Sequence, residues 1–252
     1  MHLRDTAVLV TGGASGLGEA TVLELARQGA RVAILDINRE RAEALATLVD
    51  GIALHCDVTD PASAAGAIAA ARERHGVARV LVNCAGGGAP RRVVGKDGPM
   101  PLEDFVKVVN LNLFGGFNMV RLAAADMLKT TALDGERGVL LFTASAAAFE
   151  GQVGQSAYAA SKGALVALTL QLAREFAQFG VRAMTVAPGI FETPLMANVG
   201  PEVRQALIDS AVFPKRLGRP EEFAELVAHV IGNRFLNGEV IRLDGAVRLA
   251  PR

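Results

Sequence analysis

The segment Ala7-Val8-Leu9-Val10-Thr11-Gly12-Gly13-Ala14-Ser15-Gly16-Leu17-Gly18 decides the fold. A short apolar run of strand character passes directly into a glycine cluster and then into a helical pattern. Gly12, Gly16 and Gly18 permit a tight turn, close approach of backbone to a diphosphate, and close packing of a helix whose N-terminal amides face that anion. A merely flexible turn is the alternative reading. The position between the first strand and the first helix is, however, the context a dinucleotide site requires. Ser15 and Leu17 fill the loop between the glycines.

Outward from this segment the same alternation continues. Strands are expected over 7–11, 31–35, 52–55, 79–82, 139–143, 181–186 and 240–242. Helices are expected over 16–28, 39–49, 61–75, 102–128, 157–179 and 220–231. Repeated strand–helix units predict an α/β fold, a single doubly wound domain with a seven-stranded parallel sheet flanked by helices. Pro61 after Asp60, and Pro220 followed by Glu221 and Glu222, are helix-start chemistry. Two segments exceed a minimal domain of this kind. Residues 86–101 carry Gly, Pro and the basic Arg91, Arg92 and Lys96, and residues 188–214 mix prolines with apolar side chains as in a mobile lid. Both follow carboxyl ends of predicted strands, where parallel sheets build their sites.

Strand ends supply further candidates. Asp36, about 20 residues beyond the glycines, can accept hydrogen bonds from a ribose diol and repels a 2′-phosphate, which favours NAD over NADP; Arg39 nearby is the competing anion partner. Asp57 with Val58, and Asn83-Cys84-Ala85-Gly86, fall after the third and fourth strands and are placed on the adenine and ribose side.

Tyr158 is the only tyrosine in a chain without tryptophan, and Lys162 follows it by four residues. That offset puts phenol and ammonium on one helix face. A neighbouring cation favours the phenolate and is expected to pull its pKa down toward a usable acid–base value. A core tyrosine with a solvated lysine one turn on is the alternative. Ser145 lies upstream in Thr143-Ala144-Ser145.

Composition bounds the rest. Lys+Arg 26 against Asp+Glu 26 gives a net charge of +0, so there is no basic footprint of a nucleic-acid binder. Cys56 and Cys84 have neither metal nor disulfide spacing and read as small core residues in a reducing compartment. The four histidines are scattered, so no metal site is expected. An apolar run beginning after six residues leaves no room for a leader, and no stretch nears the roughly 18 apolar residues of a membrane span, so a soluble, cytoplasmic protein is expected.

Gly12-x-x-x-Gly16-x-Gly18, Asn83-Cys84-Ala85-Gly86, Asn112, Ser145, Tyr158-x-x-x-Lys162 and Pro188-Gly189 together resemble the short-chain dehydrogenase/reductase family over essentially the whole chain. Residues 149–155, 213–218 and 235–245 are similar to the branch of that family that acts on 3-hydroxyacyl-CoA thioesters. The resemblance implies Tyr158 as acid/base and Ser145 as holder of the substrate oxygen. It implies Lys162 as the cation that lowers the phenol and binds the nicotinamide ribose, and Asn112 as holder of a water beside the lysine. Pro188, Gly189 and Thr193 would border the nicotinamide and diphosphate. The implied reaction is NAD-dependent oxidation of a secondary alcohol, a (3S)-3-hydroxyacyl-CoA to its 3-ketoacyl-CoA, in acyl-chain breakdown. A steroid or general alcohol substrate is the alternative, since Phe191, Leu195, Met196, Val199, Leu207 and Phe213 make an apolar loop; an NAD-binding scaffold subunit is a further one. Gln152 and Gln155 are candidates to bond a thioester or second carbonyl, or else cap their loop. Arg91, Arg92 and Lys96 could meet CoA phosphates, or form a solvated basic loop. A homotetramer is implied, with residues 236–249 as a packing segment.

Overall fold

A computed structural model describes every residue except Leu195, Ala197, Asn198 and Arg252. Leu195 of the expected apolar loop therefore lies outside the described residues. The chain runs β1 (Ala7–Thr11), α1 (Gly16–Arg27), β2 (Arg31–Asp36), α2 (Arg39–Val49), β3 (Ile52–His55), α3 (Pro61–His75) and β4 (Val80–Asn83). A short hairpin, β5 (Val94–Gly95) and β6 (Gly98–Pro99), follows, then α4 (Leu102–Val109), a π-helical turn (Asn110–Phe114), α5 (Gly115–Met127) and β7 (Gly138–Thr143). The remainder is α6 (Ser156–Phe176), β8 (Val181–Pro188), α7 (Pro201–Ser210), α8 (Pro220–Gly232) and β9 (Val240–Leu243).

The main sheet has seven strands in the order β3-β2-β1-β4-β7-β8-β9, all pairs parallel. Strand order reverses between β1 and β4, which opens a crevice at their carboxyl ends, the ligand side of such sheets. Each face of the sheet is covered. One apolar cluster joins Val8, Val10, Val82 and Val186 to α1 and α8, and the other joins Leu9, Leu81, Leu140 and Phe142 to α3, α5 and α6. Strands buried on both faces explain why their sequences read as continuous apolar runs rather than alternating ones.

Three expectations differ from the structure. The helix expected over 102–128 is divided by the π-helical turn, where the Asn112 side-chain amide donates to Val108 O at 2.9 Å. The lid expected as loop contains α7, which opens on Pro201 at its first turn but buries no residue against the body. The loop after β4 forms the β5–β6 hairpin. Among the described residues, no helix is long and apolar enough to cross a membrane.

One buried ion pair ties the sheet to α8. Arg182 in β8 holds Glu136 at 2.6 Å, and its guanidinium also donates to the carbonyls of Val230, Ile231 and Leu236. Those are carbonyls at and just beyond the end of the helix that would otherwise lack partners.

Candidate functional site

The glycine loop is fixed by contacts that exclude side chains. Gly12 has φ +60 and a Cβ there would stand 2.7 Å from Ala85 N. A Cβ on Gly18 would lie 2.1 Å from the Gly12 carbonyl oxygen, so only glycine lets α1 start this close to β1. Ser15 is the N-cap of α1 with no side-chain cap bond, and it is exposed at the mouth of the loop. Gly16, at φ +54, faces Thr193, whose Cγ2 would lie 3.4 Å from a Cβ there, so that residue lies against the glycine loop. Leu17 packs on the core.

Asp36 ends β2 with both carboxylate oxygens engaged by backbone, Oδ2 accepting from Ala14 N at 2.9 Å and Oδ1 from Asn38 N at 2.9 Å. The carboxylate is thus oriented toward the crevice side of the glycine loop. Asp57 accepts from the Thr59 hydroxyl and amide, and these bonds hold its carboxyl below the usual range. Val58 turns its side chain onto Gly115 rather than into the crevice, while its carbonyl receives Asn118 Nδ2 at 2.9 Å. Asn83 is buried, donates to Leu141 O, and leaves Oδ1 without a protein partner. Gly189 donates its amide to Leu243 O, and a Cβ there would meet Asp244 at 2.7 Å. Taken together, a glycine cradle, a fixed carboxylate and an orphaned buried acceptor at strand carboxyl ends fit a nicotinamide dinucleotide.

Tyr158 and Lys162 share one face of α6. Lys162 is buried, its ammonium donates to Thr143 O at 2.7 Å, and Nζ stands 5.6 Å from the Tyr158 ring centroid. Burial pulls the lysine down to about 8. The expectation that this cation lowers the phenol is not met in the site as folded. Burial pushes the Tyr158 pKa up, against a smaller lowering influence of the Ser145 hydroxyl. Ser145, two residues past β7, accepts from Ala147 N at 3.1 Å, which fixes its oxygen and leaves its own proton to donate.

Asn112 is engaged by protein. Its Nδ2 donates to Gly87 O at 2.7 Å and to Val108 O, and its Oδ1 accepts from Gly87 N. It therefore clamps the loop after β4 to the π-helical turn beside Lys162; a Cβ on Gly86 would approach Asn112 Oδ1 at 2.6 Å and Lys162 Nζ at 3.2 Å. Gln152 does not stand free: its Nε2 donates to Ala250 O at 2.9 Å. Gln155 donates to Gln152 Oε1 at 3.3 Å and keeps its own buried Oε1 unpartnered. Arg91 is paired with Asp104, while Arg92 and Lys96 stay exposed.

Several residues of the site carry no signal that the sequence pattern picks out. Gly88 lies against the Tyr158 ring, where a Cβ would be 3.4 Å from Cδ2, and Thr11 Oγ1 accepts from Ala85 N at 3.2 Å. Cys84 is pushed up to about 11 by burial and receives the Thr143 hydroxyl at 3.6 Å. A glycine run beside a strand end was the available signal for Gly88; nothing local marked the contacts of Thr11 and Thr143.

Residues 6–204 match the family model described as short chain dehydrogenase. The chain belongs to the short-chain dehydrogenase family. Membership makes it an oxidoreductase. The chain is 46% identical to "3-hydroxyacyl-CoA dehydrogenase type-2" of Bos taurus over 99% of this chain and 97% of that relative. It is 32% identical to a 3-oxoacyl-[acyl-carrier-protein] reductase of Thermotoga maritima over 98% and 99%. Among solved structures, the 3-hydroxyacyl-CoA dehydrogenase type-2 of Mycobacterium avium superposes with TM-score 0.94 at 42% identity, covering 98% of this chain and 97% of that one.

Proposed function

We propose that this short-chain dehydrogenase uses NAD to oxidise a (3S)-3-hydroxyacyl-CoA to the 3-ketoacyl-CoA. The observation that carries the reading is Tyr158, half-buried and one helical turn before buried Lys162 on the same face of α6, with its ring against Gly88 and Lys162 Nζ 5.6 Å from its centroid, beside a glycine cradle. The relatives named 3-hydroxyacyl-CoA dehydrogenase, at 44–46% identity, support the substrate class. Asp36 supports NAD: its fixed carboxylate would bind a ribose diol and repel a 2′-phosphate.

When bound, the nicotinamide supplies the hydride acceptor. The chain's own residues do the proton chemistry and the positioning. Gly12, Ser15, Gly16, Gly18 and Thr193 would hold the diphosphate, with Asp57, Val58, Asn83, Ala85 and Gly86 along the adenosine and Pro188 and Gly189 against the nicotinamide. Ser145 donates its proton to the substrate oxygen. Tyr158 removes the hydroxyl proton on oxidation and returns it on reduction. Burial favours the protonated phenol, so oxidation gains from alkaline pH and reduction uses the residue as folded. Lys162 lies beside the phenol and would bond the ribose. Asn112 keeps the loop after β4 against it.

Fully exposed Phe235, with Phe114 and Phe117 on the α5 side, supports a homotetramer. Free Cys56 and Cys84 suit a cytoplasmic setting, and acyl-chain breakdown is the matching pathway class. The test is turnover of acetoacetyl-CoA with NADH, beside NADPH and a steroid ketone, in wild type and Tyr158→Phe. Thioester turnover with NADH, reduced about 100-fold or more in Tyr158→Phe, is expected. Activity only on the free ketone moves the substrate to the steroid or alcohol class, and unchanged turnover in the variant removes Tyr158 from its role.

A further inference from the structure

Residues 149–155 lie between Ser145 and Tyr158 in the chain; Phe149 N and Glu150 N donate back to Ala146 O, and Gln155 bonds Gln152 through backbone and side chain. The remaining polar ties reach outward in two directions. On one side Gly154 O accepts from Arg91 N at 2.7 Å, so the loop after β4 leans on it. On the other side lies the C-terminal tail: Glu150 Oε2 accepts from Leu249 N at 3.3 Å, Gln152 Nε2 donates to Ala250 O, and Val153 N donates to Pro251 O at 3.0 Å.

Arg242, in β9, joins the segment to the tail. Its guanidinium holds Glu150 in two bonds, at 2.7 and 3.0 Å, lies 2.6 Å from Asp244, and stacks over the Phe149 ring at 5.1 Å. Arg248 in the tail reaches the same two carboxylates at 3.5 and 3.3 Å. A planar cation committed at its edges and over an aromatic ring fixes orientation as well as distance.

The tail also sets the polarity of the amides. Ala250 O only accepts, so Gln152 must present its NH2 to it and its oxygen to the other side. That oxygen receives the Gln155 NH2, and Gln155 is left with a buried, unpartnered acceptor three residues before Tyr158.

We propose that the C-terminal tail, clamped through Arg242 and Glu150, is a positioning element that holds residues 149–155 and so shapes the substrate side of the site. This deepens the acyl-CoA reading and rests on it. Arg242 acts through residues 149–155 and touches neither the reacting atoms nor Tyr158.

The experiment compares wild type, Arg242→Gln, Arg242→Lys and a chain lacking residues 248–252, with acetoacetyl-CoA and NADH. Alongside kinetics it measures NADH affinity by fluorescence and amide hydrogen exchange over residues 149–155. Arg242→Gln and the deletion are each expected to raise KM about 10-fold with kcat within about 3-fold, and to leave NADH affinity within about 2-fold. Exchange over 149–155 should quicken about 10-fold while the strands keep their protection. Arg242→Lys, retaining a cation without the fork, should recover part of KM. Should Arg242→Gln loosen β9 itself, the deletion leaves Arg242 in place and tests the tail alone. Unchanged KM and unchanged exchange in both variants overturn the proposal, as does a fall in kcat with KM constant. Wild type inert toward the thioester defeats the acyl-CoA reading, and the exchange data then still decide whether the tail orders 149–155.

Discussion

Gly18→Ala adds one methyl group at the place where the fold tolerates it least. The new Cβ would stand 2.1 Å from the Gly12 carbonyl oxygen, 2.8 Å from its carbon and 3.0 Å from Gly13 Cα. Those distances are roughly 1 Å inside ordinary contact. All three atoms are backbone, held between β1 and α1, so no side chain can swing away. The first turn of α1 must therefore lift off the glycine loop. Overpacking of this kind costs about 1–3 kcal/mol, and rigid neighbours place the effect at the upper end, about 3 kcal/mol. For a chain of this size that is a fall of about 6–12 °C in Tm. Because the same turn would carry the amides that face the diphosphate, NADH affinity should fall about 10–100-fold. Gly66→Ala is the matched control. Gly66 sits exposed in the middle of α3, and a Cβ added there would meet nothing within 4 Å, so alanine removes only the glycine penalty and should stabilise by about 0.5–1 kcal/mol. Thermal unfolding followed by circular dichroism, with NADH titration by fluorescence, reads both. If Gly18→Ala melts within a degree or so of wild type and binds NADH unchanged, the close approach of α1 to β1 is not what the glycine provides.

Three further outcomes follow from the same geometry. Asp36→Asn removes the charge and keeps only one of the two backbone bonds, since its NH2 cannot accept from Ala14 or Asn38, so the NADPH-to-NADH ratio of kcat/KM should rise about 10-fold or more; an unchanged ratio separates Asp36 from cofactor choice. Glu136→Gln strips the buried Arg182 of its counter-ion and should cost about 3–5 kcal/mol, visible as a large drop in Tm with kcat of the surviving folded enzyme near wild type. Glu222 is held down to about 2, first by the Arg216 guanidinium and then by the Arg219 amide. A depressed carboxylate stabilises the fold above its unfolded pKa near 4.5 and loses that contribution as pH falls toward about 2. The pair is partly exposed, so its worth is about 1 kcal/mol. The Tm gap between wild type and Glu222→Gln should accordingly be constant above pH ~5 and shrink toward pH ~3, and a gap that persists at low pH contradicts the assignment.

What the sequence made legible is what is encoded within a few residues. The seven strands are short apolar runs between turn signals, and each forms where expected to within two residues. The glycine spacing states its own purpose, and Tyr158 and Lys162 declare a shared face by their offset. The π-helical turn was not legible, because it lets one side chain, Asn112, bond Gly87 and Val108, a partner set assembled from two segments. Helix α7 carried a start signal in Gly200-Pro201-Glu202, but the segment's prolines and scattered apolar residues read as a lid, and with no buried face there was no periodicity to overrule that. Arg182 in a strand gives no local sign that Glu136 and the end of α8 wait for it.

The same division separates chemistry from selectivity in the molecule. In the proposed reaction, proton transfer depends on Ser145, Tyr158 and Lys162, which lie at one strand end and on one helix, so a local code suffices. The wall facing them is held by bonds between residues 92 to 99 positions apart, Glu150 to Arg242 and Leu249. Such contacts can be re-tuned at β9 or in the tail without touching α6. A family built this way can keep its acid–base pair fixed while its substrate changes, and that is why Tyr158 predicts a reaction whereas the alcohol it acts on has to be sought in the contacts between distant segments.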